Sequence, residues 1–494
     1  MEKGKAMLLH KNAALGNLSR AVAVKTKADS LQQQIAQLRI KSKGKDEPEA
    51  AQKLLAQLEV EADLLGAGLK NDPAATAVLL RESAPRLMGQ LQQQVLARPG
   101  RALVHFFVAE KAIYSLYVQK DKVAFNKTEL DSLLNQSLET FRKSVSEVPD
   151  SRDAEVAFHS CRKHAYLIYS RLLQPLFRQY PEATHITIIP HGQLSTIPFE
   201  SLITDPAEEA DSYQELPYLL RTKTISYAYS VTSLLNHSRG QIGHGALAIA
   251  PSFAREGSPG DRSPDEVVRG NLTKLEWTTE EARKVHALYG GKLLLGDRAS
   301  EGLFKENLGQ FGIIHIASHA LLHEEEPTLS RIFFSISDDS SEDGSLFLEE
   351  IFGMDFHDKI ICLSACNTAW GKLTRSDGLL SLARGFHYAG SPSLMATLWQ
   401  AHDRSSFLIS TRFHQELNNG NPLDDAMRQA KISYLENADA LKGHPYYWAH
   451  MLVIGETQIR PGKSGYPDPI YAGLIFMLIA GIGFIQIYRL HETG

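Results

Sequence analysis

The chain has 494 residues, of which 43% are hydrophobic and 22% charged, a balance typical of globular proteins with a full core. Its net charge of −5 excludes a general electrostatic attraction to nucleic acid. Three cysteines, Cys161, Cys362 and Cys366, are too few for a disulfide framework, so the sequence favours a reducing compartment.

The first 97 residues have the spacing of a helical arm. Leu31, Ile35 and Leu38 follow the i, i+4, i+7 pattern of one helical face. The polar segment 41–48 separates this stripe from a second one, which predicts a helical hairpin. The arm is either a packing element or a docking site for a regulatory sensor or activator protein, and the sequence leaves both readings open.

From Arg101 onward the pattern changes to strands. Ala102–Val108 and Ala112–Gln119 flank a three-residue turn and predict a hairpin. Further strands are predicted at 186–189, 225–229 and 246–250, with helices at 128–145, 152–179 and 279–289. The segment 254–263 is rich in glycine, proline and serine and predicts a loop.

The remainder of the folded region alternates strands with helices. Strands are predicted at 292–295, 311–317, 331–337, 359–364, 393–398 and 450–454, and helices at 300–309, 376–389, 404–417 and 422–436. This alternation predicts an α/β fold with a mostly parallel sheet flanked by helices.

After a linker at 459–469, the segment Ile470–Tyr488 contains no charged residue. A helix of this length just crosses a bilayer core of about 30 Å, so a transmembrane helix is predicted in preference to a buried C-terminal helix. Because Met1–Lys5 is not followed by an apolar signal core, we expect a single-pass, tail-anchored membrane protein whose catalytic domain is cytoplasmic.

Two apolar runs end in residues that can carry chemistry. Phe311–Ala320 includes His319, and Lys359–Thr368 includes Cys366, each at the end of a predicted strand. The carboxyl ends of parallel strands lie at one edge of a sheet, where ligands bind. A thiol beside an imidazole at such an edge is the arrangement of a cysteine hydrolase.

Other cysteines and histidines have simpler interpretations. Cys362 lies in the body of its strand and is expected to be a core residue. The Cys362/Cys366 spacing does not indicate zinc, because there is no second cysteine pair to complete four ligands. His315 lies within its strand, and His323 lies beside an acidic stretch. We therefore expect neither a metal nor another cofactor.

Several motifs in order resemble the CHAT domain family, a caspase-like group related to separases. They are Ile314–His319, Leu363–Ala369, Ile188–Gly192 with Ile197–Leu202, Asp377–Phe386 with Ala389–Gly390, and Ser393–Trp399 with Asp403. The resemblance covers roughly residues 100–456.

The resemblance implies a caspase-like peptidase fold with an inactive half at 98–270 and an active half at 271–458. It implies that His319 is the base and Cys366 the nucleophile, and that the N–H groups of Ala320 and Cys366 bind the oxyanion. Caspase relatives have glycine after the histidine, whereas this chain has Ala320. Alanine still offers an N–H group, provided that the backbone angles accommodate a Cβ.

Specificity is expected at the same edge. Separase-like relatives cut after arginine, so Asp403 is a candidate partner for a basic side chain, with Trp399 as a pocket wall and Asp377 as a competing acid. Each aspartate has an alternative role as a helix N-cap, where Asp is favoured.

The sequence thus predicts a membrane-tethered cysteine endopeptidase acting on a protein substrate, with no nucleic-acid partner. The alternative is a catalytically silent CHAT module that serves as a signalling scaffold at the membrane. An acyltransferase using the same two residues is less favoured, because no phosphate-binding glycine motif is present for a donor cofactor.

Overall fold

The computed structural model describes residues 88–147, 154–236, 242–253, 272, 275–323, 329–336, 342–365, 371–374, 378–400 and 402–461. The side chains of residues 365, 371–374 and 378–381 are not described. The predicted helical arm up to residue 87, most of the linker and the predicted transmembrane segment lie outside these ranges.

Sixteen strands lie in the described part of the chain. They are β1 Arg101–Val108, β2 Ala112–Gln119, β3 Lys122–Glu129, β4 His185–Ile189, β5 Thr224–Tyr227, β6 Ala246–Ala250, β7 Gly291–Leu295, β8 Ile313–Ser318, β9 Ala320–Leu321, β10 Arg331–Phe333, β11 Ser345–Phe347, β12 Ile360–Ala365, β13 Gly371–Thr374, β14 Gly378–Ser381, β15 Ser393–Thr397 and β16 Met451–Gly455.

The α-helices of the same part alternate with these strands. They are α1 Ser132–Ser146, α2 Ala154–Leu172, α3 Gln174–Gln179, α4 Val231–Asn236, α5 Thr278–Tyr289, α6 Glu301–Asn307, α7 Leu348–Ile351, α8 Leu382–Tyr388, α9 Asp403–Asn418, α10 Leu423–Asn437 and α11 Pro445–Trp448. Short 3₁₀ segments and one π-helical turn, Leu91–Val95, complete the described elements.

Eleven strands form one sheet in the order β3-β2-β1-β4-β5-β16-β15-β12-β8-β6-β7. Within the described chain, its neighbours are parallel except for β3–β2, β2–β1 and β16–β15. The central strands β8 and β15 are buried at every position, as expected for strands covered by helices on both faces. The predicted mixed α/β fold with a large, mostly parallel sheet is confirmed.

Smaller sheets lie beside this one. β11, β10 and β9 form a three-stranded antiparallel sheet, and β13 pairs with β14. The helix predicted at 376–389 is therefore partly wrong, because β14 occupies its first turn and α8 begins only at Leu382.

The division into two halves stays a prediction, and the sheet adds two facts to it. β6 falls in the predicted first half, yet it pairs with β7 and β8 of the second. The other strands of the first half join those of the second where β5 meets β16, through the pair Tyr227 and Ile454.

The membrane prediction is corrected. No helix within the described ranges combines the length and apolarity needed to cross a bilayer. The longest, α2, has 19 residues but includes charged side chains such as Glu155 and Arg171. Ile470–Tyr488 itself lies outside the described residues. On this finding the assignment of a single-pass, tail-anchored protein is wrong.

Candidate active site

The edge of the sheet at the carboxyl ends of β8 and β12 is the candidate active site. The two strands are parallel, with Ala317 opposite Ser364 and Ser318 opposite Ala365. His319 is the first residue after β8, and Cys366 follows Ala365 in the chain. The last described pair, Ser318 and Ala365, therefore lies one residue before the two predicted catalytic positions.

His319 is held in place at the end of β8. The residue is 6% exposed, and the ring of Phe253 packs against its imidazole edge-on with centroids 4.9 Å apart. The His319 carbonyl accepts a hydrogen bond of 3.0 Å from the Phe333 N–H. These contacts fix both the backbone and the ring at the sheet edge.

Phe253 was not singled out in the sequence, although it follows the carboxyl end of β6 at the same edge. Its loop is tied down by Ser335, whose Oγ accepts from the Ser252 N–H at 3.1 Å and donates to the Gly296 carbonyl at 2.8 Å. An aromatic residue three positions beyond a predicted central strand is the signal that would have suggested a wall of the site.

Cys366 and Asp377 lie outside the described residues, so their roles stay predictions. The expectation that Cys362 is a core residue is confirmed, because it is 0% exposed. Burial raises the pKa of the Cys362 thiol, and the nearby Glu281 carboxylate adds to this effect. An unassisted Cys362 thiol is therefore protonated at neutral pH and is no substitute for Cys366 as a nucleophile.

Ala320 lies in β9, where it is opposite Ile332 of β10. The bond from the Phe333 N–H to the His319 carbonyl makes this a pair without direct backbone hydrogen bonds, so the Ala320 N–H points away from β10. Among the described residues other than glycine, only Ala207 and Asp358 have a positive φ. The backbone at Ala320 therefore accepts a Cβ without strain.

Asp403 is half-buried at the first position of α9. Its Oδ2 accepts a hydrogen bond of 3.0 Å from the N–H of Trp277, the residue before α5. His402 is the N-cap of α9, so Asp403 does not cap its own helix but satisfies the start of a neighbouring one. Burial raises the pKa of the Asp403 carboxyl, and the backbone N–H donors oppose this effect.

Trp399 follows β15 and is 4% exposed. Its indole Nε1 donates to the Tyr446 carbonyl at 3.0 Å, which joins the end of β15 to α11. The indole thus faces the interior and not the solvent.

Comparisons with known proteins identify a family. The model of the CHAT domain matches residues 162–456. Among curated proteins, tetratricopeptide repeat protein 28 of Mus musculus is 24% identical over 303 residues and that of Homo sapiens 23%. These matches cover 55% of this chain but only 12% of each relative, so the chain spans a small part of their length.

The solved structures that resemble this chain are more distant in sequence. The Saccharomyces cerevisiae separase–securin complex at 3.0 Å is 9% identical with a TM-score of 0.48, covering 83% of this chain and 34% of that one. The complex of Porphyromonas gingivalis RgpB pro- and mature domains is 11% identical with a TM-score of 0.37, covering 67% and 78%. At these scores the likeness carries no conclusion about activity.

Proposed function

This chain belongs to the CHAT domain family, and on that premise we propose that it is a cysteine endopeptidase with His319 as base and Cys366 as nucleophile. The observation that carries the proposal is the parallel register of β8 and β12, in which Ser318 is opposite Ala365. Consecutive Cα atoms are about 3.8 Å apart, so peptide connectivity keeps each catalytic candidate one residue beyond this pair. That proximity suits a thiol and imidazole that exchange a proton.

The chemistry follows from the residue types. The His319 imidazole takes the proton of the Cys366 thiol as Sγ attacks the carbonyl carbon of the scissile peptide. The tetrahedral intermediate collapses when His319 returns that proton to the leaving amine. Water, deprotonated by the same imidazole, then attacks the thioester and releases the acid and the free thiol.

The oxyanion is proposed to be held by the N–H groups of Ala320 and Cys366. Support comes from β9, where the Ala320 N–H points away from the ladder with β10 and takes no part in it. One such donor contributes about 3–4 kcal/mol to transition-state stabilisation in comparable sites.

The substrate is proposed to carry a basic residue before the scissile bond, with Asp403 as its partner. A half-buried carboxylate whose charge is disfavoured by burial gains more from a cation than an exposed one does. Because the carboxylate already accepts from the backbone N–H groups of Trp277 and Glu276, we expect the substrate cation to make a single-point contact with it.

The catalytic proposal is tested by replacing the two residues separately. We expect Cys366→Ala to abolish cleavage of a peptide library, and His319→Ala to lower kcat/KM by about 10²–10⁴-fold. The matched control is Cys161→Ala, since Cys161 is a buried cysteine on α2, which does not border the site. Full cleavage by Cys366→Ala would refute the mechanism.

A silent CHAT scaffold is the second candidate. Ala320, in place of the glycine of caspase relatives, is the observation that favours it. If the unmodified protein neither cleaves the library nor labels with a peptide-based electrophile at Cys366, the scaffold function is the correct one.

A further inference from the structure

A fully buried cluster of metal-binding side chains lies between the sheet and helices α5 and α9. His315, Cys362 and His414 each offer a ligand atom, and these three atoms lie within 4.8 Å of one another. All three residues are 0% exposed. Polar groups at such depth are costly unless they are paired, so the meeting of these three side chains needs a physical explanation.

Two of the ligands are fixed by the central sheet. Cys362 of β12 lies opposite His315 of β8 in the parallel register. The third, His414, comes from α9, and its Nε2 is 3.1 Å from Nδ1 of His315. Two nitrogens on one tetrahedral zinc, each at about 2.0–2.1 Å, are roughly 3.3 Å apart, so the imidazoles already have nearly the required separation.

The remaining nitrogen of each imidazole faces a further partner. His315 Nε2 is 3.2 Å from Glu281 Oε1, and both residues are buried. His414 Nδ1 is 3.4 Å from the Tyr289 hydroxyl, which itself donates to the His414 carbonyl at 2.9 Å. Metal-bound histidines characteristically donate their second N–H to a carboxylate, carbonyl or other acceptor.

In the metal-free cluster, a neutral His315 carries a proton on only one of its two ring nitrogens. Only one proton can occupy the contact between the two imidazoles. With His315 protonated at Nε2, toward Glu281, His414 must donate from Nε2, and its Nδ1 is left as an acceptor. The Tyr289 hydroxyl has a single proton, which it already gives to the His414 carbonyl. His315 Nε2 and Glu281 Oε1 also lack an aligned hydrogen bond in the described structure.

We propose that His315 Nδ1, His414 Nε2 and Cys362 Sγ bind a zinc ion, with water as the fourth ligand. As the Zn–S bond forms, the Cys362 thiol releases its proton to solvent. The His414 Nδ1–H then donates to the Tyr289 oxygen, and the His315 Nε2–H to Glu281. One thiolate and one carboxylate neutralise Zn²⁺, so the buried cluster carries no net charge.

The position of this ion gives it a structural role. His315 of β8 precedes His319 by four residues in the chain, and Cys362 of β12 precedes Cys366 by four residues. The zinc would therefore join the two strands directly beneath the candidate active site and tie both to α9. The metal site does not depend on peptidase activity, because no ligand takes part in the proposed chemistry.

The sequence alone argued against zinc because Cys362 and Cys366 form no second cysteine pair. The structure supplies the other ligands from elsewhere in the chain: His315 is 47 residues before Cys362, and His414 is 52 residues beyond it. No motif of fixed spacing connects these positions.

The test is the metal content of the full chain purified from zinc-supplemented cells without chelator. We expect about one zinc per chain in the unmodified protein and in Cys161→Ser, and less than about a fifth of that in Cys362→Ser. Cys161 is an apt control because it is also fully buried but lies on α2, away from the cluster.

A second measurement guards against misfolding of the variant. Cobalt substituted into the unmodified protein should show tetrahedral ligand-field bands together with a thiolate-to-cobalt charge-transfer band. Absence of zinc and of cobalt binding in the unmodified protein would overturn the proposal. Zinc retained in a folded Cys362→Ser protein would also overturn it, since the metal would then lie elsewhere.

Discussion

Among single residues, Ala320 is the departure from the caspase pattern that bears most directly on catalysis. It lies in an ordinary strand, and its N–H points away from β10. The backbone therefore offers the same donor that a glycine would offer, without a left-handed conformation. The substitution of glycine by alanine is thus compatible with an oxyanion hole.

This interpretation predicts opposite effects for two variants of Ala320. Proline removes the N–H without breaking a bond to β10, so Ala320→Pro should lower kcat by about 10²–10³-fold. Ala320→Gly keeps the N–H and should retain activity, at a cost of about 0.5–1 kcal/mol in the free energy of unfolding. Steady-state kinetics and urea unfolding measure the two effects. Equal activity in Ala320→Pro would exclude this N–H from the oxyanion hole.

His444 is a second residue whose environment has a measurable consequence. It is 1% exposed, and burial lowers its pKa to about 4. Below about pH 6.5 the His444 imidazole binds a proton in the unfolded chain but not in the folded protein. The free energy of unfolding therefore falls as the pH drops toward 4, and it levels off below that pH. Between about pH 7.5 and pH 5 this residue alone should cost of the order of 2 kcal/mol.

The variant His444→Asn tests this dependence. His444 caps α11 by accepting from the Tyr446 N–H at 3.0 Å, and asparagine keeps an acceptor there while removing the titration. Urea unfolding at the two pH values should show a smaller acid-induced loss of stability in the variant. An identical loss in both proteins would mean that His444 is protonated in the folded state.

At the scale of elements, Asp403 joins the starts of two helices. It is the first residue of α9, and its carboxylate accepts from the backbone N–H that precedes α5. Negative charge is favourable near helix N-termini, so the side chain has a structural role besides the proposed contact with substrate. A neutral isostere distinguishes the two roles, because the hydrogen bond to Trp277 needs only an oxygen whereas the contact with a basic substrate needs the charge.

Asp403→Asn keeps an oxygen for the Trp277 N–H but removes the charge. We expect it to lower kcat/KM for substrates with Arg before the scissile bond by at least about tenfold, and to leave alkylation of Cys366 by a small uncharged reagent nearly unchanged. The control is Asp355→Asn, an exposed acid that precedes β12 at the opposite edge of the sheet. A loss only in Asp377→Asn would move the specificity role to that residue.

At the scale of the whole molecule, α10 connects the two parts of the sheet. The strands themselves meet through Tyr227 and Ile454 at the β5–β16 junction. Across that junction, α10 supplies partners for β1 and β4: Arg101 bonds Asp424 at 3.0 Å, and His185 lies 3.1 Å from Asp425. Deeper in the core, Lys431 pairs with Glu200, which also accepts from Tyr227.

The Lys431–Glu200 pair should be strongly coupled. Removing one partner leaves a buried charge, so Lys431→Met should cost about 3–5 kcal/mol, while Lys431→Met combined with Glu200→Gln should cost less than the sum of the single changes. Urea unfolding measures all three. The control is Lys442→Met, whose partner Asp439 is exposed and which should change stability by less than about 1 kcal/mol. Additive costs for the buried pair would refute the coupling.

The sequence predicted the strands best where burial alone specifies them. Ala112–Gln119 and Ala246–Ala250 have the predicted bounds, because apolar runs between turn residues suffice to define them. β3 was missed, since Lys122, Lys127 and Glu129 give it the polar pattern of an edge strand. The first turn of the helix predicted over 376–389 is wrong because β14 gains its hydrogen bonds from β13 and not from its own segment.

The sequence by itself determined the α/β class, the CHAT resemblance and the location of His319 at the end of a central strand, because periodicity and local motifs encode these features. Only the tertiary structure decided which residues that are far apart in the sequence come into contact. It brought Asp403 to the start of α5, turned Trp399 inward, and joined His315, Cys362 and His414. Such contacts depend on helix packing against the sheet, which no spacing along the chain specifies.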